Sequence, residues 1–165
     1  MPLTITRFTT DAQLTSMFTL FNTKVPAVTG TSIVDEFNAD FGTTVPMTLA
    51  FWHPLLADPK SRIFGGFQPA NTLRGAGWWQ QDAGGAWGFR LVGIDKSLTD
   101  ALRLSGFHDF VIERAAAVPA DTRFYGLVKI GGKLDTYMQP RLTSRTLQGS
   151  MALYQTTAAE MIARL

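Results

Sequence analysis

The last third of the chain combines helix-like and strand-like patterns in an order that narrows the folds open to it. Residues 121–129 have a helical pattern and run into Gly131 and a second glycine, which commonly follow a helix C-terminus. Two strand-like runs, 134–143 and 151–155, then predict a hairpin. Thr157, with a glutamate three residues on, predicts a capping box. The chain is therefore predicted to end as helix, hairpin and helical turn.

The first two thirds predict strands and helices in a comparable mixture. Strands are predicted at residues 3–7, 47–52, 62–68 and 87–94, with 71–77 as a loop and 77–80 as a short strand or a loop. Helices are predicted from Asp11 to before Pro26, from Ser32 to Gly42, and from Asp95 to near Gly106. The segment from Asp109 to Ala117 is assigned to a strand on topology. The predicted order is β-α-α-β-β-β-α-β-α-β-β.

Composition excludes several classes of function. The chain has 165 residues, of which 45% are hydrophobic and none is cysteine, so disulfides, thiolate metal sites and a cysteine nucleophile are ruled out. The formal net charge is only +2, without blocks of like charge, which argues against specific nucleic-acid binding. No apolar run reaches the ~18 residues of a membrane span, and the N-terminus lacks a signal-peptide pattern. We expect one domain, residues 1–165, in the cytoplasm.

This order of elements resembles that of the GCN5-related N-acetyltransferases (GNAT family). In that family the helix after the fifth strand ends in a lysine, apolar, glycine step, and Lys129-Ile130-Gly131 is similar to it. The resemblance implies an α+β fold, with a mixed, mostly antiparallel central sheet flanked by helices. It also implies an enzyme that moves an acetyl group from acetyl-CoA to a small-molecule or protein amine, without a metal.

The resemblance places the acetyl-CoA loop directly after the fourth predicted strand. The family pattern is Gln or Arg, two residues, Gly, one residue, then Gly or Ala, and Arg90-x-x-Gly93-x-Asp95 follows it up to the last position. Backbone N–H groups at a helix N-terminus bind a pyrophosphate there. Asp95 is interpreted as the helix N-cap, which makes the loop a degenerate one. The implied cofactor-binding residues are Arg90, Val92, Gly93, Ile94, Lys96 and Ser97.

Two side chains are candidates for the acid and base of acetyl transfer. The family uses a Glu as base and a Tyr as acid. The usual register puts the tyrosine at Leu127, so Tyr125 is the nearest candidate acid. Glu113, in the predicted fifth strand, is the candidate base.

Two adjacent tryptophans suggest a second function. Trp78 and Trp79 would face opposite sides of a strand, so one of them is expected at the surface or in a protein–protein contact. Together with Asp95 and Leu127, this pair favours the alternative of a non-catalytic GNAT-like structural or assembly protein. A component of a tailed-phage virion is one example, in which case the chain would be phage-encoded and located in the host cytoplasm or the virion.

Overall fold

A seven-stranded sheet organises the computed structural model, which describes residues 2–25 and 30–165. The strands are β1 Thr4–Arg7, β2 Ser61–Gln68, β3 Thr72–Gln81, β4 Trp87–Ile94, β5 Arg123–Lys129, β6 Ser144–Gln148 and β7 Met151–Thr157. The helices are α1 Asp11–Asn22, α2 Ile33–Phe41, α3 Leu49–Ala57, α4 Asp100–Ala116, α5 Lys133–Met138 and α6 Ala158–Arg164. The strand order is β1-β2-β3-β4-β5-β7-β6, and among these neighbours only β4 and β5 are parallel. The predicted fold class is confirmed.

Sequence-encoded caps define α1 and α2 as predicted. Thr10 and Gln13 form a reciprocal capping box at the start of α1, and Ser32 and Asp35 form another at the start of α2. Gly42 follows α2 with φ of 63°, a left-handed conformation that glycine adopts without steric cost. The predicted end of α1 before residue 26 is also confirmed.

The strand predicted at residues 47–52 is wrong, because this segment enters α3. Thr48 is the N-cap, and the Trp52 side chain is fully buried with its Nε1 donating to the Pro46 carbonyl at 2.6 Å. A short apolar run fits a buried strand and a buried helix equally well. Pro54, predicted in a turn, lies inside the helix.

The loop predicted at residues 71–77 is also wrong, because it forms the first half of β3. Its glycines provide room for packing instead of marking a turn. A Cβ atom on Gly75 would lie 2.7 Å from the side chain of Ile94, and one on Gly77 would lie 3.0 Å from Phe89. Small residues therefore let β3 lie close to the side chains around it.

Helix α4 replaces the predicted break at Gly106 and the predicted strand from Asp109 to Ala117. Its N-cap is Thr99, whose hydroxyl accepts from the amide of Leu102, and the helix runs unbroken through Gly106. Phe107, Phe110 and Val111 are buried on one face at helical spacing. The spacing of the apolar residues in this segment indicates a helix. The strand was predicted from the expected topology, which was less reliable here than the spacing.

The strand that follows is β5, in place of the predicted helix at residues 121–129. Phe124 and Val128 are buried whereas Leu127 is exposed, which is an alternation typical of a half-buried strand. The sixth strand begins only at Ser144, because residues 134–138 belong to α5. The predicted order of elements is retained through these shifts, with α3 added. The predicted terminal helical turn is α6, and its N-cap Thr157 accepts from the Glu160 amide through its side chain.

The two faces of the sheet carry separate apolar clusters. One contains buried side chains of α1, α2 and α3, among them Leu14, Phe21 and Trp52. The other contains buried side chains of α4, α5 and α6, among them Phe110 and Met161. Within the described part of the chain, no helix is both long and apolar enough to span a membrane.

Candidate functional site

The parallel strands β4 and β5 pair over a short stretch and then separate. Their register consists of Trp87 with Phe124, Gly88 with Tyr125, and Phe89 with Gly126. Beyond this last pair, the described residues show no further pairing between the two strands. With a rise of about 3.3 Å per residue, β4 continues for roughly 16 Å past that point. The sheet is therefore open between its two central strands.

A cleft of about 590 Å³ lies in this opening, and we call it the β4–β5 cleft. Apolar side chains from α2, β4, α4 and β5 line much of it, including Phe37, Phe89, Phe107 and Val128. The Phe89 ring stacks on Trp79, with the ring centroids 3.9 Å apart. The cleft has the size and the apolar lining of a small-molecule site.

A β-bulge places Arg90 at the closed end of the cleft. In the pairing of β3 with β4, Trp78 lies opposite Leu91 and Trp79 opposite Phe89, so Arg90 has no partner on β3. Its side chain is exposed and lines the cleft. We call this end, where the pairing of β4 with β5 stops, the apex.

Tyr125 lies beside Arg90 at the apex. The Arg90 Nη2 donates to the Tyr125 hydroxyl at 3.0 Å, and the guanidinium carbon lies 5.5 Å from the centre of the ring. A Cβ atom on Gly88 would lie 2.6 Å from the tyrosine Cζ and 2.7 Å from its oxygen. Glycine at position 88 is therefore what lets the ring lie across β4.

The open end of the cleft, its mouth, carries charged side chains at the start of α4 and α5. Asp100, the first residue of α4, accepts from the Lys133 Nζ at 2.5 Å and lies 3.7 Å from the Arg103 Nη1. The hydrogen bond from Lys133 lowers the pKa of Asp100, against a smaller opposing effect of burial. Lys129 forms an ion pair with Asp40 of α2 at 3.2 Å. These pairs link the two sides of the mouth.

The loop between β4 and α4 is fixed by a buried lysine. The Lys96 side chain is 1% exposed, and its Nζ donates to the Thr31 carbonyl and hydroxyl at 2.9 Å and to Glu36 at 2.6 Å. Lys96 lines the cleft, yet its ammonium group is hydrogen-bonded to Glu36 of α2 and to Thr31, which precedes that helix.

Asp95 anchors the same loop to β3 and is not the helix N-cap that the sequence predicted. Its carboxylate accepts from the Arg74 Nη1 at 2.6 Å and from the Ser97 amide at 2.9 Å. The helix begins five residues later, after Thr99. A glycine-free loop held in this way differs from the backbone cradle that the resemblance implied.

The structure brings most of the predicted cofactor residues together, in a different setting. Those that line the cleft are Arg90, Val92, Gly93, Ile94 and Lys96. They belong to strand β4 and the start of the loop, whereas a helix N-terminus was expected. Ser97 lies in the loop and does not line the cleft.

Of the two candidate catalytic residues, only Tyr125 lines the cleft. Glu113 lies on α4, outside the cleft, and its Oε2 has no hydrogen-bond partner among the described residues. Burial raises the pKa of Glu113. Three further charged residues of the cleft, Asp100, Arg103 and Lys133, lie in the first turns of α4 and α5, and the sequence predicted the start of neither helix correctly.

A buried ionic network holds Tyr154, one of the residues that line the cleft. Asp135 of α5 is 2% exposed and accepts from the Gly131 amide at 2.8 Å, from Arg145 Nε at 2.9 Å and Nη2 at 2.8 Å, and from the Tyr154 hydroxyl at 2.5 Å. The Arg145 guanidinium, followed by Tyr154, holds the pKa of Asp135 well below its usual range. Burial and the Asp135 carboxylate raise the pKa of Tyr154, which lines the cleft, to about 12. Tyr154 therefore stays a hydrogen-bond donor at neutral pH.

The two adjacent tryptophans differ in exposure. Trp79 is 2% exposed in the core, so it is not available to a protein partner. Trp78 is half-buried and packs edge-on against Phe51 and Trp52 of α3, with ring centroids 6.1 and 5.2 Å away.

No protein-family model matches the sequence, and a comparison with curated proteins finds no match. Solved structures match along nearly the whole chain. The spermidine N-acetyltransferase of Vibrio cholerae, in complex with CoA and spermine, has a TM-score of 0.64 at 10% identity and covers 97% of this chain and 98% of its own. An N-acetyltransferase of Staphylococcus aureus Mu50 gives 0.62 at 13% identity, with 96% and 99% covered. The PaiA N-acetyltransferase of Thermoplasma acidophilum, in complex with coenzyme A, gives 0.60 at 9%, with 95% and 99% covered. The chain therefore has the GNAT fold.

Proposed function

We propose that the protein transfers an acyl group from an acyl-CoA, with acetyl-CoA as the first candidate, to an amine. The observation that carries this proposal is the β4–β5 cleft, an opening lined largely by apolar side chains between two parallel strands that pair at only three positions. Two of the matching structures were solved with CoA; both are named N-acetyltransferases, and one of the names gives spermidine as the acceptor. Fold alone does not establish activity, so the chemistry of the cleft has to support it.

The residues of the cleft fit an acyl-CoA at both ends. β4 continues past Phe89 for roughly 16 Å, a length that an extended arm can follow, and the aromatic lining of the cleft suits apolar methylene groups. At the mouth, Lys133 and Arg103 are cations close to the N-terminus of α4, where phosphate groups are favoured. Asp100 carries the same sign of charge as a phosphate, and it competes with phosphates for both cations.

The chemistry at the apex involves few protein groups. A bound acyl-CoA supplies a thioester, so that a bond forms between the amine nitrogen and the acyl carbon, the carbon–sulfur bond breaks, and one proton passes in net terms from the nitrogen to the sulfur. Arg90 donates to the Tyr125 oxygen, which leaves the tyrosine O–H free to donate a proton at the apex. Glu113 lies outside the cleft, so we assign the uptake of the amine proton to water.

An assay of released thiol tests this function directly. Because the chain contains no cysteine, every thiol that appears with acetyl-CoA comes from the cofactor. We expect release that depends on an added amine. We also expect Tyr125→Phe to lower kcat at least tenfold with little change in KM for acetyl-CoA. A wild-type protein without amine-dependent release and without a thermal shift at millimolar acetyl-CoA would instead support the non-catalytic alternative.

Replacing Asp100 with asparagine is expected to strengthen acetyl-CoA binding. The change removes the negative charge that Lys133 and Arg103 neutralise at the mouth, so both cations become free for phosphate groups. Calorimetric titration should give a dissociation constant roughly two- to fivefold lower than that of the wild type at low salt, and the gain should shrink at high salt. Weaker binding of the variant at low salt would show that Asp100 does not oppose the phosphates.

A further inference from the structure

Arg90 is an exposed cation without a carboxylate partner. In residues 2–25 and 30–165, no carboxylate lies within ion-pair distance of its guanidinium group. Residues 1 and 26–29, outside this part, include no Asp or Glu. The lysines that line the cleft, Lys96, Lys129 and Lys133, each form an ion pair. Arg90 therefore differs from the other cations of the cleft.

The carboxylates on the α2 side of the cleft are already committed. Glu36 accepts from Lys96 at 2.6 Å, and Asp40 accepts from Lys129 at 3.2 Å. A cationic acceptor that approached from this side would find each carboxylate matched by a lysine and would meet the additional charge of Arg90. With both carboxylates paired, Arg90 makes the net charge of these side chains positive.

The guanidinium group of Arg90 keeps most of its hydrogen-bonding capacity. Its one hydrogen bond to a described residue is the donation from Nη2 to the neutral Tyr125 hydroxyl. An arginine has five N–H donors in a planar fork that matches a carboxylate in a two-point contact. The remaining donors of Arg90 are available to a ligand.

The position of Arg90 links this free cation to the reaction. Arg90 follows Phe89, the last residue of β4 that pairs with β5, and it shares the apex with Tyr125. A group held by the guanidinium is therefore held next to the place where the acyl group would be transferred.

We propose that Arg90 selects an acceptor in which a carboxylate lies close to the reactive amine, such as a free amino acid. The proposal rests on the acyl transfer proposed above and adds the class of acceptor. The guanidinium binds the carboxylate in a two-point contact and thereby orients the amine towards the apex. Polyamines, which carry only positive charge, are disfavoured by the same residue.

The test compares acceptors that differ only in this charge. Common α-amino acids and their α-amides are assayed as matched pairs with acetyl-CoA, together with spermidine, and rates are compared at equal concentrations of free-base amine. We expect kcat/KM to be roughly tenfold higher for the best amino acid than for its amide. Arg90→Gln should remove this ratio, and Arg90→Glu should reverse it in favour of the amide and spermidine. Because Arg90 also contacts Tyr125, the ratio and not the absolute rate is the decisive readout.

Arg123→Gln serves as the matched control. Arg123 is another exposed arginine, bonded to the Gly84 carbonyl at 3.3 Å and not among the residues that line the cleft. Its variant should keep the wild-type ratio. The inference is overturned if wild-type protein that binds acetyl-CoA uses amides or spermidine as well as amino acids, uses none of these amines, or keeps its ratio in Arg90→Gln. A failure of the function itself appears separately, as an absence of acetyl-CoA binding in a calorimetric titration.

Discussion

Replacing Gly126 with leucine should abolish acetyl-CoA binding and leave the fold intact. Gly126 forms the last pair between β5 and β4, and it lines the cleft. A Cβ atom there would meet the Phe89 Cβ at 3.8 Å, which is an ordinary contact, so a larger side chain has room to start and then extends into the cleft. Calorimetric titration should show affinity reduced by roughly a hundredfold or more, because the cleft is filled by protein atoms.

Gly84→Leu is the control for this substitution. Gly84 lies in the exposed turn between β3 and β4, where a Cβ atom would meet its nearest atoms at 3.4 Å. Its variant should bind acetyl-CoA like the wild type. Circular dichroism and thermal melting should show that both variants fold. Undiminished binding by a folded Gly126→Leu protein would mean that the donor does not lie in the β4–β5 cleft.

Asp135→Asn should destabilise the fold strongly, because it breaks the buried ionic network around this carboxylate. Four donors converge on the Asp135 carboxylate: the Gly131 amide, two nitrogens of Arg145 and the Tyr154 hydroxyl. Asparagine keeps one acceptor oxygen and turns an NH₂ donor towards these donors, and it leaves the charge of Arg145 without its partner. The Tm at pH 7 should fall by roughly 10 °C in a calorimetric melt.

The pH dependence of this loss checks its cause. The pKa of Asp135 is held well below the value of about 3.9 that an aspartate has in an unfolded chain, so the unfolded protein takes up this proton first as the pH falls. The stability from the ionised carboxylate is therefore present above about pH 5 and is lost progressively as the pH falls towards the folded-state pKa. The difference in Tm between the wild type and Asp135→Asn should shrink from pH 6 to pH 3. A constant difference over this range would contradict the electrostatic explanation. Asp121→Asn, a substitution at an exposed position, is the control and should keep the wild-type Tm at both pH 6 and pH 3.

The sequence predicted the fold class better than the positions of its elements. Elements with a strong local signal were placed correctly, such as α1 with its cap at Thr10 and β4 with its alternating residues. The errors fell where a short apolar or small-residue segment satisfies two periods, as at α3 and the first half of β3. For β5, the decisive information is the pairing with both β4 and β7, which a single segment does not contain.

Only some residues of the site could be predicted from the sequence, because the others depend on tertiary packing. Arg90, Gly93 and Tyr125 were found because a family pattern or a reactive side chain marks them in the sequence. The pairing of Lys133 with Asp100 depends on the starts of two helices that lie 33 residues apart in the chain. The bulge at Arg90 depends on the register between β3 and β4. Such relations arise from tertiary packing, and local propensity does not encode them.

The most direct test of the central claim is a calorimetric titration of the wild-type protein with acetyl-CoA. The proposed function predicts saturable binding of one molecule per chain, with a dissociation constant below roughly 100 μM and a matching rise in Tm at millimolar ligand. An absence of saturable heat up to millimolar acetyl-CoA, in protein shown to be folded, would contradict the assignment of the β4–β5 cleft as an acyl-donor site.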